Sequence, residues 1–303
     1  MIKKSFLIMF FLVGISLSAI ILYGCAETRY SVTSYYYPDW TSDGKIICEK
    51  KVDNYRSGGG WPSFGGASLL STNYYITTMS EEGTQELNIK EINRVSKTVA
   101  SPTGNHIAYT DGNYIKIITS AGQDVYSINC KYSDFDYDWG NNGDKLIYNI
   151  YDFSSGINTY KMFMVAIDGG NETQILTKSS SPSWRYGNQI VVNSPLTTES
   201  SRTVAINSST LSEEAAYLRV IGGQFNISNA NTNEVIYKSD SGINKFFLDS
   251  PSSDPVLLNT VTQVNNIHLS PNAQKIIGSG SGSDLGKEIW ILNIDGSGMK
   301  QLK

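Results

Sequence analysis

Short apolar runs alternate with tight polar turns along most of the chain. Each copy holds one apolar residue, then a turn rich in Ser, Pro, Asp, Asn and Gly, then a short β-branched run. Such turn residues adopt tight geometries or hydrogen-bond their own backbone, so each copy predicts a strand–turn–strand hairpin. Beyond residue 25 the only helical signal is one or two turns at 212–219. The pattern therefore predicts an all-β fold.

Six copies of this pattern are in register, and the apolar residue before each turn defines an anchor position. The anchors are Trp40, Ala100, Trp139, Trp184, Ile227 and Leu269. A third strand is predicted in each unit, at 74–78, 114–118, 162–167, 203–206, 245–248 and 289–294. Five of these strands lead to a small turn, such as Asp168-Gly169, and a short fourth strand follows.

Four strands in a unit of about 40–45 residues match the size of a propeller blade. We therefore predict a six-bladed β-propeller of four-stranded blades over residues 36–303. The first unit is longer than the others, which places a loop insertion at 54–72. Residues 30–36 are expected to supply an extra strand near the seam between the first and last blades. The small anchor Ala100 would leave a gap underfilled unless Tyr109 or a neighbouring ring fills it.

Two segments resemble a known repeat. Residues 38–47 read Pro-Asp-Trp-Thr-Ser-Asp-Gly-Lys-Ile-Ile, and residues 289–302 form a strand that reaches Asp295-Gly296. Both resemble the WD-like propeller repeat of the TolB family, whose pattern is Pro-x-Trp-Ser-Pro-Asp-Gly. The resemblance covers residues 36–303 and implies the six-bladed propeller. TolB carries an α/β domain ahead of its propeller and a cleaved, non-lipidated signal, and this chain departs from it in both respects. Docking to a peptidoglycan-associated lipoprotein therefore carries over only as an analogy.

The first residues have the features of an export signal. Lys3 and Lys4 precede an apolar run over 6–22, which ends in Leu22-Tyr23-Gly24-Cys25. This ending resembles a bacterial lipoprotein lipobox, with Tyr23 as the departure. The resemblance implies a signal peptide at 1–24, lipidation of Cys25, a short tether at 25–35 and attachment to the cell envelope. Ala26 favours the outer membrane, facing the periplasm. The alternative is an uncleaved membrane anchor, although a run of about seventeen residues is at the short end for a span.

Composition narrows the function. A net charge of −4 with 17% charged residues disfavours a nucleic-acid partner, because phosphate contacts need clustered Lys and Arg. Two histidines are too few for a three-histidine metal site, and the chain has no G-x-S-x-G, H-E-x-x-H or Walker motif. We therefore expect a non-catalytic scaffold that binds a protein or glycan. A polysaccharide lyase or hydrolase, and a purely structural envelope protein, are the alternatives.

The candidate ligand site comes from repeat equivalence. The position before the anchor holds Asp39, Asp138, Ser183, Asn226 and His268 in five of the units. In a propeller these side chains, with Asp136, are expected to ring one mouth of the central channel, where ligands bind. A structural, hydrogen-bonded role is the alternative for His268. His106 is predicted to be a solvent-exposed strand residue.

Further candidates lie outside this ring. Asp134, Asp136 and Asp138 alternate with aromatic residues and so share one face, which suits Ca²⁺; the alternative is a polar face bonded to backbone amides. Trp61 and Phe64 mark the long first-unit loop as a candidate partner loop, unless they fold back to cap the blade. Export permits a disulfide between Cys48 and Cys130, which the sequence leaves open.

Overall fold

The structure is a computed structural model. It describes residues 28–57, 67–94, 97–130, 135–152, 159–177, 180–186, 189–195, 201–217, 225–227, 234–247, 254–280 and 288–303. These residues form strands joined by turns, and none of them lies in a helix. Within these ranges, accordingly, no helix is long and apolar enough to cross a membrane.

The described strands form six four-stranded sheets, each built from four consecutive strands. The first three sheets contain β1 (Thr28–Trp40), β2 (Ile46–Ser57), β3 (Ala67–Met79) and β4 (Leu87–Ile92); β5 (Thr98–Ala100), β6 (His106–Asp111), β7 (Tyr114–Thr119) and β8 (Asp124–Asn129); and β9 (Phe135–Trp139), β10 (Lys145–Asp152), β11 (Thr159–Ala166) and β12 (Thr173–Thr177). The last three contain β13 (Ser180–Tyr186), β14 (Gln189–Pro195), β15 (Ser201–Asn207) and β16 (Glu213–Tyr217); β17 (Phe225–Ile227), β18 (Glu234–Ser239), β19 (Gly242–Phe247) and β20 (Val256–Asn259); and β21 (Val264–Leu269), β22 (Lys275–Gly280), β23 (Ile289–Asn293) and β24 (Lys300–Gln301).

The predicted all-β propeller of four-stranded blades is confirmed, but the expected number of six equivalent blades is corrected to five, because the first sheet is divided between two compact units. The chain divides into two compact units. The small unit comprises described residues 28–33, 51–57 and 67–73, and the large unit holds those at 34–50 and from 74 onward. Five of the sheets lie wholly in the large unit, whereas strands β1, β2 and β3 contribute residues to both units.

The hairpin turns explain why the repeats fold alike. In the first three sheets the turn after the first strand closes with an amide-to-carbonyl bond, from Gly44 to Thr41, Gly104 to Ser101 and Gly143 to Gly140, at 2.8–3.0 Å. The three glycines have φ between 66° and 81°, which glycine adopts at little cost. The last sheet repeats the turn with Ala273, whose φ of 57° is unfavourable for a residue with a Cβ atom.

All six anchors lie on the first strand of a sheet, as the repeat predicts. Trp40, Trp139 and Leu269 are buried between sheets, since apolar side chains from neighbouring sheets pack against them. The gap beside Ala100 is filled as expected, because Tyr109 packs in the same buried cluster and is only 2% exposed. The large aromatic side chains that are buried between these sheets contribute apolar stabilisation to the large unit.

Three boundaries differ from those expected. Residues 28–35 do not form a tether or an extra strand; they are the first part of the continuous strand β1. The predicted loop insertion at 54–72 is shorter, because β2 extends to Ser57 and β3 begins at Ala67. Residues 213–217 form strand β16 rather than a helical turn, because they complete the edge of the fourth sheet by pairing with β15. Sequence alone does not show how far a hairpin extends when its strands pair beyond the core.

Candidate functional site

The anchor tryptophans tie neighbouring sheets together through a repeated hydrogen bond. The indole Nε1 of Trp139 donates to the carbonyl oxygen of Val99 at 3.0 Å. The indole Nε1 of Trp40 donates to the carbonyl oxygen of His268 at 3.3 Å. In both cases the acceptor is the residue before the anchor of the preceding sheet, with the last sheet preceding the first. The ring of sheets in the large unit thus closes through side chains of β1 and β21.

Asp39 and His268 meet at this junction. Asp39 is completely buried, and its Oδ1 lies 3.0 Å from Nδ1 of His268. The contact has the distance of an ion pair, but Nδ1 has no well-aligned hydrogen bond. The other oxygen, Oδ2, accepts a hydrogen bond from the backbone amide of Ala100 at 3.3 Å. One carboxylate therefore bridges the last, first and second sheets.

His268 keeps part of its surface accessible, since its side chain is 16% exposed whereas Asp39 is 0% exposed. A ligand approaching the inner strands can therefore reach the imidazole but not the carboxylate. Any effect of Asp39 on a ligand would therefore have to pass through His268. This is a narrower role than the ligand contact expected of Asp39 from repeat equivalence.

Asp136 forms a second charged pair. Nζ of Lys97 bonds to Oδ1 of Asp136 and, at 2.7 Å, to the carbonyl oxygen of Tyr137. The hydroxyl of the fully buried Tyr137 donates in turn to the carbonyl oxygen of Lys97, and burial raises the pKa of this phenol. The segments that contain Lys97 and Tyr137 are thus joined by a hydrogen bond in each direction. The charged groups of Lys97 and Asp136 are about one-third exposed, at 33% and 30%, so this pair lies within reach of a polar ligand.

Asp138 is nearly buried, and its Oδ1 accepts a hydrogen bond from the amide of Trp139 at 2.9 Å. The expected calcium ligands Asp136 and Asp138 are thus engaged by Lys97 and by a backbone amide, respectively. Asp134 lies outside the described residues. Among the residues that are described, no group of three His, Cys, Asp or Glu side chains could hold a metal ion. The polar-face alternative therefore accounts for both described carboxylates.

The remaining predicted site residues are placed only in part. Ser183 lies on β13 and Asn226 on β17, on the first strands of their sheets as expected. Cys25, Trp61 and Phe64 lie outside the described residues, so the lipid attachment and the partner loop stay predictions. His106 differs from its predicted exposure: it is half-buried, and its ring stacks on Trp139 with centroids 6.2 Å apart.

The two thiols are buried and separate. Cys48 and Cys130 are both free, so the disulfide left open by the sequence is not formed. Burial raises the pKa of the Cys48 thiol far above its usual value, and it raises the pKa of the Cys130 thiol to about 12. Neither thiol is therefore a reactive thiolate near neutral pH.

Glu49 was not anticipated from the sequence. Its carboxylate is completely buried and accepts a hydrogen bond from the hydroxyl of Thr98, which is 2% exposed. This bond joins β2 to β5, beside the contact between Asp39 and Ala100. The one available signal was an acidic residue directly after the apolar run Ile46-Ile47-Cys48, because buried acids are rare unless they have partners.

Glu86 marks the other side of the junction between the first and last sheets. Its Oε2 accepts a hydrogen bond from the Tyr35 hydroxyl at 2.7 Å, and its Oε1 accepts one from Nζ of Lys50. Nζ of Lys303 lies 3.6 Å from Oε2 and 5.7 Å from the centroid of the Tyr35 ring. Since Lys303 follows β24, this cluster joins the first sheet to the end of the last.

Replacing Glu86 with Gln is expected to weaken this junction in a pH-dependent way. Burial alone raises the pKa of Glu86, but the hydrogen bonds from Lys50 and Tyr35 outweigh it and lower the pKa. A lowered pKa in the folded state stabilises the fold above the unfolded pKa, and this gain is lost as pH falls through the folded value. At pH 7 we expect Glu86→Gln to lower the free energy of unfolding by about 1 kcal/mol.

Urea midpoints at pH 7 and pH 3.5 check this expectation. The gap between Glu86→Gln and the wild type should shrink at the lower pH. The exposed Glu91→Gln is the control and should match the wild type at both pH values. A gap for Glu86→Gln that persists unchanged at pH 3.5 would contradict a charge-dependent role for this carboxylate.

Comparisons with known proteins support the fold. Neither a protein-family model nor a curated protein sequence matches the chain. Among solved structures, the chain is similar to the β-propeller domain of the Trilobed protease from Pyrococcus furiosus, which has an open velcro topology. The TM-score is 0.54 at 7% identity, and the match covers 89% of this chain and 98% of that chain. An acylaminoacyl peptidase from Pyrococcus horikoshii gives 0.53 at 8% identity, over 90% of this chain and 52% of that one.

TolB from Acinetobacter baumannii is a further structural neighbour, with a TM-score of 0.51 at 14% identity over 76% of this chain and 65% of that one. The chain thus spans about half of the peptidase and about two thirds of TolB. At these identities the likeness concerns the fold alone. Each described sheet of this chain is built from four consecutive strands. The comparisons thus establish the chain as a β-propeller with TolB among its structural neighbours.

Proposed function

We propose that this chain is an exported lipoprotein held at the bacterial cell envelope through Cys25, and that its propeller is a non-catalytic scaffold for a protein or glycan partner. The lipobox-like sequence Leu22-Tyr23-Gly24-Cys25 supports the anchor. The propeller fold and the absence of catalytic motifs from the sequence support a binding role. The outer membrane, facing the periplasm, is the proposed location because Ala26 follows the cysteine.

The observation that carries the binding role is the pair formed by Asp39 and His268. A buried carboxylate fixes the orientation of an imidazole that remains partly accessible. Because Nδ1 faces the carboxylate, Nε2 is the nitrogen left for a ligand. An imidazole held in this way binds a hydroxyl or carbonyl group with little loss of side-chain entropy, since its ring is already ordered.

The pair of Lys97 and Asp136 extends the polar surface of the site. Both side chains keep about a third of their surface exposed, and they offer a cation and an anion to the same ligand. Ser183 and Asn226 occupy the equivalent strand positions of the fourth and fifth sheets. Hydroxyl and amide groups of this kind suit a glycan or the backbone of a protein segment rather than an apolar ligand.

The test compares the two histidines. Wild type, His268→Ala and His106→Ala, each purified as the full mature chain, are presented to a panel of envelope glycans and to detergent extracts of the envelope. We expect a ligand that binds the wild type and His106→Ala, and binds His268→Ala about tenfold more weakly, which corresponds to one lost hydrogen bond. Equal binding by all three proteins, or no ligand for the wild type, would count against the proposal.

Two additions keep the comparison clear. His268→Gln retains a polar side chain, and urea midpoints for every variant separate lost binding from lost folding. A Trp61→Ala, Phe64→Ala double variant asks whether the predicted partner loop contributes. Binding that disappears in the loop variant but survives in His268→Ala would move the site away from the inner strands.

A further inference from the structure

We infer that one face of the small unit lies against the surface of the lipid bilayer. This face consists of Tyr30, Val32, Tyr55 and Leu70 and is called the tyrosine face. The inference rests on the lipid anchor of the proposed function, because that anchor sets which surface is nearby. It adds a second membrane contact, formed by the folded chain itself.

Side-chain hydrogen bonds distinguish the two faces of the small unit. On one face the hydroxyl of Ser31 bonds to Oδ1 of Asn54 at 2.6 Å, and Nδ2 of Asn54 bonds to Oγ of Ser71 at 3.0 Å. This polar network crosses three strands. Successive side chains of a strand point to opposite faces, so the residues just before Ser31 and Ser71, and just after Asn54, lie on the other face. These residues are Tyr30, Leu70 and Tyr55.

Side-chain contacts confirm the second face. The rings of Tyr30 and Tyr55 stack with centroids 5.4 Å apart and an interplanar angle of 16°. Tyr30 and Val32 are each 45% exposed, and Leu70 is 49% exposed. Aromatic and aliphatic side chains at this exposure on one sheet face mark an interaction surface. Leu69, at 54% exposure, belongs to the opposite, polar face.

The position of Cys25 identifies the occupant as lipid. Two residues, Ala26 and Glu27, separate Cys25 from the start of β1 at Thr28, so Cys25 and Thr28 are at most about 10 Å apart. Acyl chains attached to Cys25 therefore hold the start of β1 within about that distance of the bilayer surface, and the tyrosine face begins two residues later at Tyr30. Tyrosine side chains favour the membrane–water interface, since the ring is apolar and the hydroxyl is polar.

Charge does not distinguish the two faces. The described part of the small unit carries three basic residues, Arg29, Lys51 and Arg56, against one acid, Asp53. By strand alternation Arg29 and Arg56 lie on the polar face with Ser31 and Asn54, and Lys51 pairs with Asp53 at 2.6 Å. The contact of the tyrosine face with the bilayer therefore rests on its apolar and tyrosine side chains, which add to the anchor and fix the orientation of the protein.

The test places an environment-sensitive fluorophore on single introduced cysteines of the full chain purified from membranes. The positions are Leu70→Cys on the tyrosine face, Leu69→Cys on the polar face and Leu257→Cys on β20, and these leucines are 49%, 54% and 47% exposed. Cys48 and Cys130 are buried and do not compete for the label. Each protein is reconstituted into vesicles of phosphatidylethanolamine and phosphatidylglycerol that contain a lipid with a headgroup-proximal nitroxide quencher.

We expect the probe at position 70 to lose more than half of its fluorescence, with little loss at positions 69 and 257. Proteins that float with the vesicles but show no quenching at position 70 would overturn the tyrosine face and leave the anchor intact. A probe at position 70 whose emission is shifted equally with and without vesicles, and is not quenched, would instead assign the face to a protein partner or a second copy. Wild-type protein that fails to float, or whose Cys25 takes up the label, would overturn the anchor and with it this inference.

Discussion

Replacing Trp139 with Ala is expected to lower the free energy of unfolding by about 3–5 kcal/mol, the range for truncation of a large buried aromatic residue. Trp139 is fully buried among apolar side chains of the second and third sheets, and its indole donates to Val99. The substitution removes both the apolar contact and the hydrogen bond between sheets. The midpoint of urea unfolding, followed by tryptophan-independent far-ultraviolet circular dichroism, measures the effect.

Two variants separate the contributions at Trp139. Trp139→Phe keeps an aromatic ring but removes the indole N–H, so the hydrogen-bond part of its loss should be about 1 kcal/mol. Tyr114→Ala removes an aromatic side chain that is 42% exposed, and it should change stability by no more than about 0.5 kcal/mol. If Trp139→Ala were as mild as Tyr114→Ala, the anchor would not hold neighbouring sheets together.

His268→Ala is expected to lower the free energy of unfolding by roughly 2–3 kcal/mol, because it takes the imidazole away from a buried carboxylate. The side chain of Asp39 is completely buried and lies 3.0 Å from Nδ1 of His268. A buried charge that loses such a contact is costly, whereas a partly exposed imidazole that loses its partner can contact water. We therefore expect His268→Ala, which takes the imidazole away from the buried Asp39, to cost more than Asp39→Ala, which leaves a partly exposed imidazole.

Urea midpoints of His268→Ala, Asp39→Ala and His106→Ala check this order. His106 is the comparison because its Nδ1 has no hydrogen-bond partner, and its described ring contact is stacking on Trp139. The His106 variant should therefore lose stability by stacking alone. A loss for His268→Ala no larger than that of His106→Ala would mean that the pair with Asp39 contributes little.

The sequence predicts the fold well because the information is local and repeated. The anchors Trp40 and Trp139, the glycine turns that follow them and the fill of the Ala100 gap by Tyr109 can each be inferred from a few neighbouring residues. Periodic apolar positions and turn residues specify a blade without reference to the rest of the chain. The structure confirms these elements and changes mainly the ends of β1, β2 and β3.

The site was predicted less completely because its contacts join distant segments. Repeat equivalence places Asp39 and His268 at corresponding positions, yet only the fold shows that their sheets are neighbours and that the carboxylate is buried. The bond of Lys97 to Asp136 likewise connects two sheets and leaves no local trace in the sequence. Alternation suggested a calcium site at Asp136 and Asp138, but alternation gives only the face of a strand and not the partners that neutralise its charges.

Closure of the ring and the proposed site both depend on the contact that joins the first and last sheets, and a double-mutant cycle between Asp39 and His268 tests this contact most directly. The free energy of unfolding is measured for wild type, Asp39→Ala, His268→Ala and the double variant under one set of conditions. A coupling energy of about 1–3 kcal/mol is predicted, since residues in direct contact are not additive. Additive losses, with a coupling energy near zero, would show that the two side chains do not meet and would contradict both the closure of the ring and the site built upon it.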